Sequence, residues 1–99
     1  MSEFKPMTSN TGTLTTVPSA ATSTTILAAN ARRKGACIVN TDANALCLNL
    51  AGGTATTTTA FNVRLIQNAY FEIPFGYTGL ITGIWETDGA GAANVCEFI

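Results

Sequence analysis

The sequence predicts an all-β protein, a small antiparallel β-sandwich of jelly-roll or immunoglobulin-like type, with an extended N-terminal arm. Short runs of β-branched and apolar residues alternate with turn clusters at the spacing of a sandwich or barrel, and no stretch requires a helix. The 99 residues suffice for one domain with one thin core. We therefore divide the chain into an arm, residues 1–18, and a sandwich domain, residues 19–99.

The arm is polar and irregular, and its apolar side chains Phe4, Met7 and Leu14 are isolated from one another. Such a segment cannot bury enough apolar surface to fold alone, so it is either a frayed terminus or a segment that orders against a neighbouring subunit. In the second case we expect Phe4, Met7 or Leu14 to contact the neighbour, and we expect the arm to order only in an assembled particle.

Seven runs of the domain predict strands, at residues 24–28, 36–40, 46–50, 63–65, 70–73, 80–86 and 95–99. In the third run, alternation places the leucines on one buried face and Cys47 and Asn49 on the other. Phe71 and Ile73 point inward by the same rule. The run 80–86 is apolar on both faces, which is typical of a central strand.

The connections between these runs are less uniform. The segment 51–60 combines glycines with β-branched threonines, so it forms either a long loop or a loop followed by a solvated edge strand. An exposed connection at 29–35 carries the chain's basic cluster, Arg32, Arg33 and Lys34. This cluster either contacts an acidic patch on a partner or is an ordinary solvated loop.

Charge is scarce in this protein. Charged residues make up 11% of the chain, against about 25% in ordinary soluble domains. A surface so poor in charge suits a subunit packed against other subunits, although it also suits exported β-proteins. The net charge of −1 and the single short basic cluster argue against nucleic acid as a partner. No apolar run is long enough to span a membrane and no secretion signal is evident, so we expect a soluble protein made in the cytoplasm.

The residues that usually carry chemistry are also scarce. There is no histidine, and Cys37, Cys47 and Cys96 are widely spaced, so we expect no metal, no cofactor and no disulfide framework. The expected role of the cysteines is that of small, partly buried strand residues. Glu72 and Glu86 fall on strands predicted to be adjacent, but outward-facing glutamates are usually only solvated. We therefore expect no enzyme and no small-molecule substrate.

Three aromatic residues permit another kind of function. Tyr70, Tyr77 and Trp85 would suit a sugar-binding platform, as in a carbohydrate-binding module. The more frequent role of aromatic side chains in a small sandwich is to fill its core or a subunit interface.

Several motifs together resemble a group of small proteins encoded among the structural genes of tailed bacteriophages. The resemblance spans roughly residues 30–98. Its motifs are Arg33-Lys34-Gly35-x-x-Ile38-x-Asn40, Leu46-x-Leu48-x-Leu50 with Gly52-Gly53-Thr54, Tyr70-Phe71-Glu72-Ile73-Pro74 with Tyr77-Thr78-Gly79, Gly83-Ile84-Trp85, and Val95-x-Glu97-Phe98.

This resemblance implies a β-sandwich virion component located on the capsid surface. The role it implies first is that of a capsid decoration, or cement, protein, which binds the major capsid protein and is often a trimer. A tail, neck or head-fibre component is the alternative within the same class. The candidate partner-binding residues are Phe4, Met7, Leu14, Arg32, Arg33 and Lys34.

Overall fold

The computed structural model describes residues 11–50, 57–74 and 76–99, and these residues form eight strands and no helix. The strands are β1 (Gly12–Pro18), β2 (Thr24–Leu27), β3 (Gly35–Asn40), β4 (Leu46–Asn49), β5 (Val63–Leu65), β6 (Tyr70–Glu72), β7 (Ile81–Trp85) and β8 (Ala92–Phe98). Sheet I has the order β1-β8-β3-β6 and sheet II the order β2-β7-β4-β5. Neighbouring strands are antiparallel throughout. The predicted all-β sandwich is confirmed.

The core lies between the two sheets and follows from the two-residue period of the strands. In β3, for example, Ala36, Ile38 and Asn40 are buried, whereas the intervening residues are half-buried. The buried cluster comprises Ile26, Ala36, Ile38, Leu46, Leu48, Leu65, Ile73, Ile81, Trp85, Ala93 and Val95. Each large apolar side chain buried in this way contributes about 1.5–3 kcal/mol.

Sheet II has two interior strands, β4 and β7, as the apolar run 80–86 predicts for β7. The expectation that only one face of β4 is buried is wrong, because Cys47 is fully buried on the outer face. Its direct neighbours across the sheet are Arg64 on β5 and Ile84 on β7. An interior strand has such neighbours on both sides, and they cover a small side chain.

The first sheet begins earlier in the chain than the sequence indicates. Residues Gly12–Pro18, which we assigned to the arm, form β1 and pair along their whole length with β8. β8 itself starts at Ala92, three residues before the predicted strand 95–99, because its first residues pair with both Pro18 and the end of β3. Pairing between segments so distant in sequence has no local signature. Phe4 and Met7 lie outside the described residues.

The segment 51–60 and the pair Glu72 and Glu86 were also the subject of predictions. Residues 57–60 form a bend in which the Thr57 hydroxyl accepts the N–H of Ala60 at 2.9 Å, so the described part of the segment 51–60 is a loop. Glu72 and Glu86 do not lie on adjacent strands: Glu72 belongs to β6 in sheet I, and Glu86 follows β7 in sheet II.

A buried polar cluster joins the sheets at one end of the sandwich. Asn40 donates to the carbonyls of Asn44 and Leu65 at 2.9 and 2.8 Å, and its Oδ1 accepts the indole N–H of Trp85 at 3.0 Å. Asp42 accepts the N–H groups of Asn44 and Gly91 at 2.7 and 2.8 Å. These bonds satisfy buried polar groups that would otherwise destabilise the fold.

Candidate interaction surface

The predicted partner-binding residues are separated by the fold. Leu14 is in the middle of β1 and is 72% exposed. Arg32 and Lys34 are exposed in the turn before β3, where the N–H of Arg32 donates to Asn30 Oδ1 at 3.0 Å. Arg33, between them, is buried. The basic cluster therefore does not act as one surface patch.

Arg33 is a structural residue, which corrects its assignment as a partner-binding residue. Its Nε donates to Glu97 Oε2 at 2.8 Å, and its side chain is fully buried. The remaining guanidinium N–H groups donate to the carbonyls of Ala28, Tyr77 and Gly79 at 2.6, 3.2 and 3.0 Å. A planar fork of five donors suits this arrangement, since it can bind several fixed acceptors at once. Arg33 thus ties β8 to two connecting segments.

The outer face of sheet I is the candidate interaction surface. Strand alternation and the pairing registers place eleven side chains on it: Leu14, Thr16, Pro18, Cys37, Val39, Tyr70, Glu72, Ala92, Asn94, Cys96 and Phe98. One row across the four strands runs Leu14, Cys96, Cys37 and Glu72. Among the described side chains of the outer face, Glu72 is the only charged one. The face is therefore close to neutral and rich in apolar and hydroxyl groups.

A shallow open groove of about 370 Å³ crosses this face between β6 and the end of β8. Its lining includes Tyr70 and Phe98, which are 58% and 37% exposed, together with Lys34 and Glu72. The Tyr70 hydroxyl donates to Glu72 Oε2 at 3.2 Å. Partial desolvation, and then the nearby Glu72 charge, raise the pKa of Tyr70, so the phenol remains a neutral donor at physiological pH.

Phe98 lies opposite a glycine on each of its two neighbouring strands. Gly12 and Gly35 are its direct neighbours on β1 and β3. A Cβ on Gly12 would lie 3.1 Å from the Phe98 ring, so the ring rests against bare backbone there. An aromatic ring packed across a glycine in a neighbouring strand protects that part of the sheet. The exposed edge of the ring remains part of the outer face.

Strand β1 is unusually exposed for a strand of a sandwich. Six of its seven residues are exposed, and only Val17 reaches the core cluster. Its contacts are concentrated on β8, and no other described strand contacts it substantially. β1 therefore extends sheet I beyond the part that sheet II covers.

The three cysteines are free thiols. Cys37 and Cys96 are half-buried direct partners on β3 and β8, both on the outer face of sheet I. Burial raises the pKa of the Cys47 thiol, and the charge of Glu86 raises it further. Cys47 is therefore a neutral packing residue with no nucleophilic character.

The aromatic residues do not form a common platform. Trp85 is fully buried with its indole N–H satisfied by Asn40, and the Tyr77 hydroxyl donates to the Leu80 carbonyl at 2.6 Å. Only Tyr70 is largely exposed. The trio suggested for sugar binding is thus dispersed between the core, a turn and the outer face.

Sequence reasoning missed most of the outer face. Arg33 looked like a surface cation because its neighbours Arg32 and Lys34 are charged and exposed. Phe98 falls in the predicted strand 95–99, which the sequence assigns to no surface. The alternation in β8 could have shown that Asn94, Cys96 and Phe98 share one face of the strand. The register of β8 with β3 was also needed to show which other side chains lie on that face.

Among the described residues, no group of three His, Cys, Asp or Glu side chains could hold a metal ion. Within the same residues, no helix is long and apolar enough to cross a membrane. The chain matches no known family model, no curated protein and no solved structure.

Proposed function

We propose that the protein is a virion structural protein of a tailed bacteriophage, and specifically a decoration protein that binds the major capsid protein on the outside of the shell. The motifs from Arg33 to Phe98 support the virion class through their resemblance to small phage structural proteins. The fold is compatible with that class. The observation that carries the proposal is the nearly neutral, exposed outer face of sheet I.

The charge distribution explains how such a face would bind. Four charged side chains are paired with each other within the domain. Arg33 pairs with Glu97 inside the sandwich, and Arg64 pairs with Glu86 on the surface of sheet II. Glu72 is the charged side chain of the outer face. Binding through this face therefore depends on apolar contact and on hydrogen bonds from neutral groups.

Leu14, Tyr70 and Phe98 are the anchors of this surface, because they are its most exposed large apolar side chains. A few residues that enter pockets of the partner, aromatic ones above all, contribute most of the affinity at protein interfaces, and the surrounding residues exclude water. The capsid protein would supply an apolar, weakly charged surface. Arg32 and Lys34 lie at the rim, where charges mainly affect the association rate.

The test mixes the purified full chain with undecorated, expanded capsids and measures co-sedimentation and capsid melting. The proposal predicts saturable, stoichiometric binding and a higher melting temperature. Tyr70→Lys, which places a cation in the groove, should weaken binding at least tenfold. Ile66→Lys is the matched control, because Ile66 is 59% exposed in the loop between β5 and β6 and is not on the outer face.

The absence of binding by the wild-type chain would refute the decoration role. Equal loss of binding in both lysine variants would show that the outer face of sheet I is not the contact. Labelling of intact virions at the tail, neck or head fibres would exclude the capsid role and favour the alternative within the virion class.

A further inference from the structure

The edge of sheet I at β1 could pair with a strand of another chain. Among the described residues, sheet I ends at β1 on one side and at β6 on the other, and sheet II ends at β2 and β5. An edge strand presents unpaired N–H and C=O groups, so natural proteins protect it with shortness, charge, proline or a bulge.

Three of the four edges carry such protection. β5 and β6 have three residues each and include Arg64 and Glu72. β2 has four residues, and its register with β7 shifts between Thr25 and Leu27. Short, charged or bulged strands are poor templates for another chain.

β1 lacks these devices over most of its length. It has seven residues, none of them charged, and its register with β8 is unbroken. Its proline, Pro18, is the last residue of the strand. Residues 12–17 therefore form an uncharged edge that no other described strand covers, and Leu14 at their centre is the most exposed large apolar side chain described.

The hydrogen-bond pattern shows which backbone groups point outward. The N–H of Ile99 donates to the Thr11 carbonyl at 3.2 Å, and the N–H of Ser19 donates to the Gly91 carbonyl at 3.0 Å. The odd-numbered residues of β1 therefore direct their backbone N–H and C=O groups toward β8. Along an antiparallel strand, residues whose backbone groups bond to a given neighbour alternate with residues whose backbone groups point away from it. Hence the N–H and C=O groups of Gly12, Leu14 and Thr16 point away from β8.

We propose that β1 pairs antiparallel with β1 of a second copy of this chain across a two-fold axis at Leu14. This register sets Leu14 opposite Leu14 of the second copy, and Gly12 opposite Thr16. All three outward-pointing residues then form hydrogen-bonded pairs, and Pro18, which has no N–H, falls beyond them. The two copies of sheet I become one eight-stranded sheet.

The second copy is favoured as the occupant because the edge is complementary to itself. A two-fold contact brings the same residues together, so any charge at its centre would repel its own image. β1 has no charge to repel. Its two faces are also largely uncovered in the single chain, and pairing brings the two exposed Leu14 side chains into contact, which removes part of their apolar surface from water.

Placing a positive charge at Leu14 in one variant and a negative charge in another tests the register directly. In sedimentation, the mass of the full-length wild-type chain should rise with concentration from 10.3 kDa to twice that value. Leu14→Lys and Leu14→Glu should each shift the protein to the monomer, since each places like charges on the axis. An equimolar mixture of the two variants should restore the dimer. Ile66→Lys should leave the dimer unchanged.

Hydrogen exchange of the wild-type chain provides a second readout that needs no variant. The amides of Thr13, Thr15 and Val17 should be protected at every concentration. Those of Gly12, Leu14 and Thr16 should gain at least tenfold protection as the dimer forms. A monomeric or trimeric wild type, a mixture that stays monomeric, or equal exchange of both sets of amides would overturn the proposal.

Discussion

Individual residues hold this sandwich together where its two sheets and its loops meet. Arg33 is the clearest case, because one side chain connects β8 with Ala28 and with the turn at Tyr77 and Gly79. A sequence cannot reveal this role when the residue stands in a run of cations. The burial of Arg33 depends on the position of Glu97 on β8, which is 64 residues away.

Arg33→Ala should lower the free energy of unfolding by about 3–5 kcal/mol, because it leaves a partly buried carboxylate and three carbonyls without their donor. Arg33→Lys should recover only part of the loss, since an ammonium cannot reproduce the fork. Arg32→Ala is the control and should change stability by less than about 0.5 kcal/mol. Urea denaturation measures all three. Equal effects at Arg32 and Arg33 would contradict the structural role of Arg33.

Asp42 should make the stability of the protein sensitive to acid. The N–H of Asn44, more than any other group, and then the N–H of Gly91 hold the pKa of Asp42 below its usual range in the folded state. The folded pKa is below the unfolded value of about 3.9, so the ionised carboxylate stabilises the fold above that pH. This stabilisation should disappear as the pH falls from about 4 through the lower folded pKa.

The Asp42→Asn variant should therefore be less stable than wild type at pH 7, and its stability should fall less steeply between pH 5 and pH 3. Urea midpoints at several pH values provide the measurement. Glu86→Gln is a useful comparison, because Arg64 lowers the pKa of an exposed carboxylate there. Parallel pH profiles for wild type and Asp42→Asn would show that another group controls the acid response.

The three thiols should differ in reactivity. Cys37 and Cys96 are half-buried on the outer face of sheet I, whereas Cys47 is fully buried with a raised pKa. A thiol-specific colorimetric reagent should modify Cys37 and Cys96 in the native protein and Cys47 only after unfolding. Cys47→Ala should leave the native signal unchanged. Rapid native labelling of Cys47 would show that sheet II opens easily.

At the scale of elements, the sequence predicts strands better than it predicts their partners. Seven of the eight strands coincide with apolar or β-branched runs, and the face assignments of Phe71 and Ile73 hold, with Ile73 buried and Phe71 half-buried against the core. β1 was missed because six of its seven residues are exposed, so it lacks the apolar alternation of a half-buried strand. Its stability comes from pairing with β8.

The boundary of the domain can be tested by two truncations. Removal of residues 1–10 keeps β1 and should leave the melting temperature within a few degrees of that of the full chain. Removal of residues 1–18 exposes the outer edge of β8, whose residues Ala93, Val95 and Glu97 bond to β1. That shorter chain should melt earlier and aggregate, because a long unprotected edge invites pairing. Equal melting of the two truncations would mean that β1 adds nothing to the domain.

At the scale of the whole molecule, the sequence indicates a neutral surface but not where its neutral part lies. Composition predicts the scarcity of charge, and the motifs predict the virion class. The outer face of sheet I is assembled from β1, β8, β3 and β6, which are distant in the chain. Only the registers bring Leu14, Tyr70 and Phe98 to the same side.

Attachment to a capsid through this face should depend little on salt. Exposed ion pairs weaken as ionic strength rises, whereas burial of apolar surface does not. Between about 0.05 and 0.5 M NaCl, we expect the dissociation constant to change less than threefold. Arg32→Ala should bind like the wild type at the higher salt concentration. A steep loss of affinity with salt would assign the contact to the rim cations.

We propose that the protein binds the outside of a phage capsid through the outer face of sheet I. Electron cryo-microscopy of expanded capsids saturated with the full chain tests it most directly. We expect ordered density on the outer shell, with Tyr70 and Phe98 turned toward the capsid protein and sheet II toward solvent. Bare capsids, or density in which sheet II contacts the shell, would contradict it.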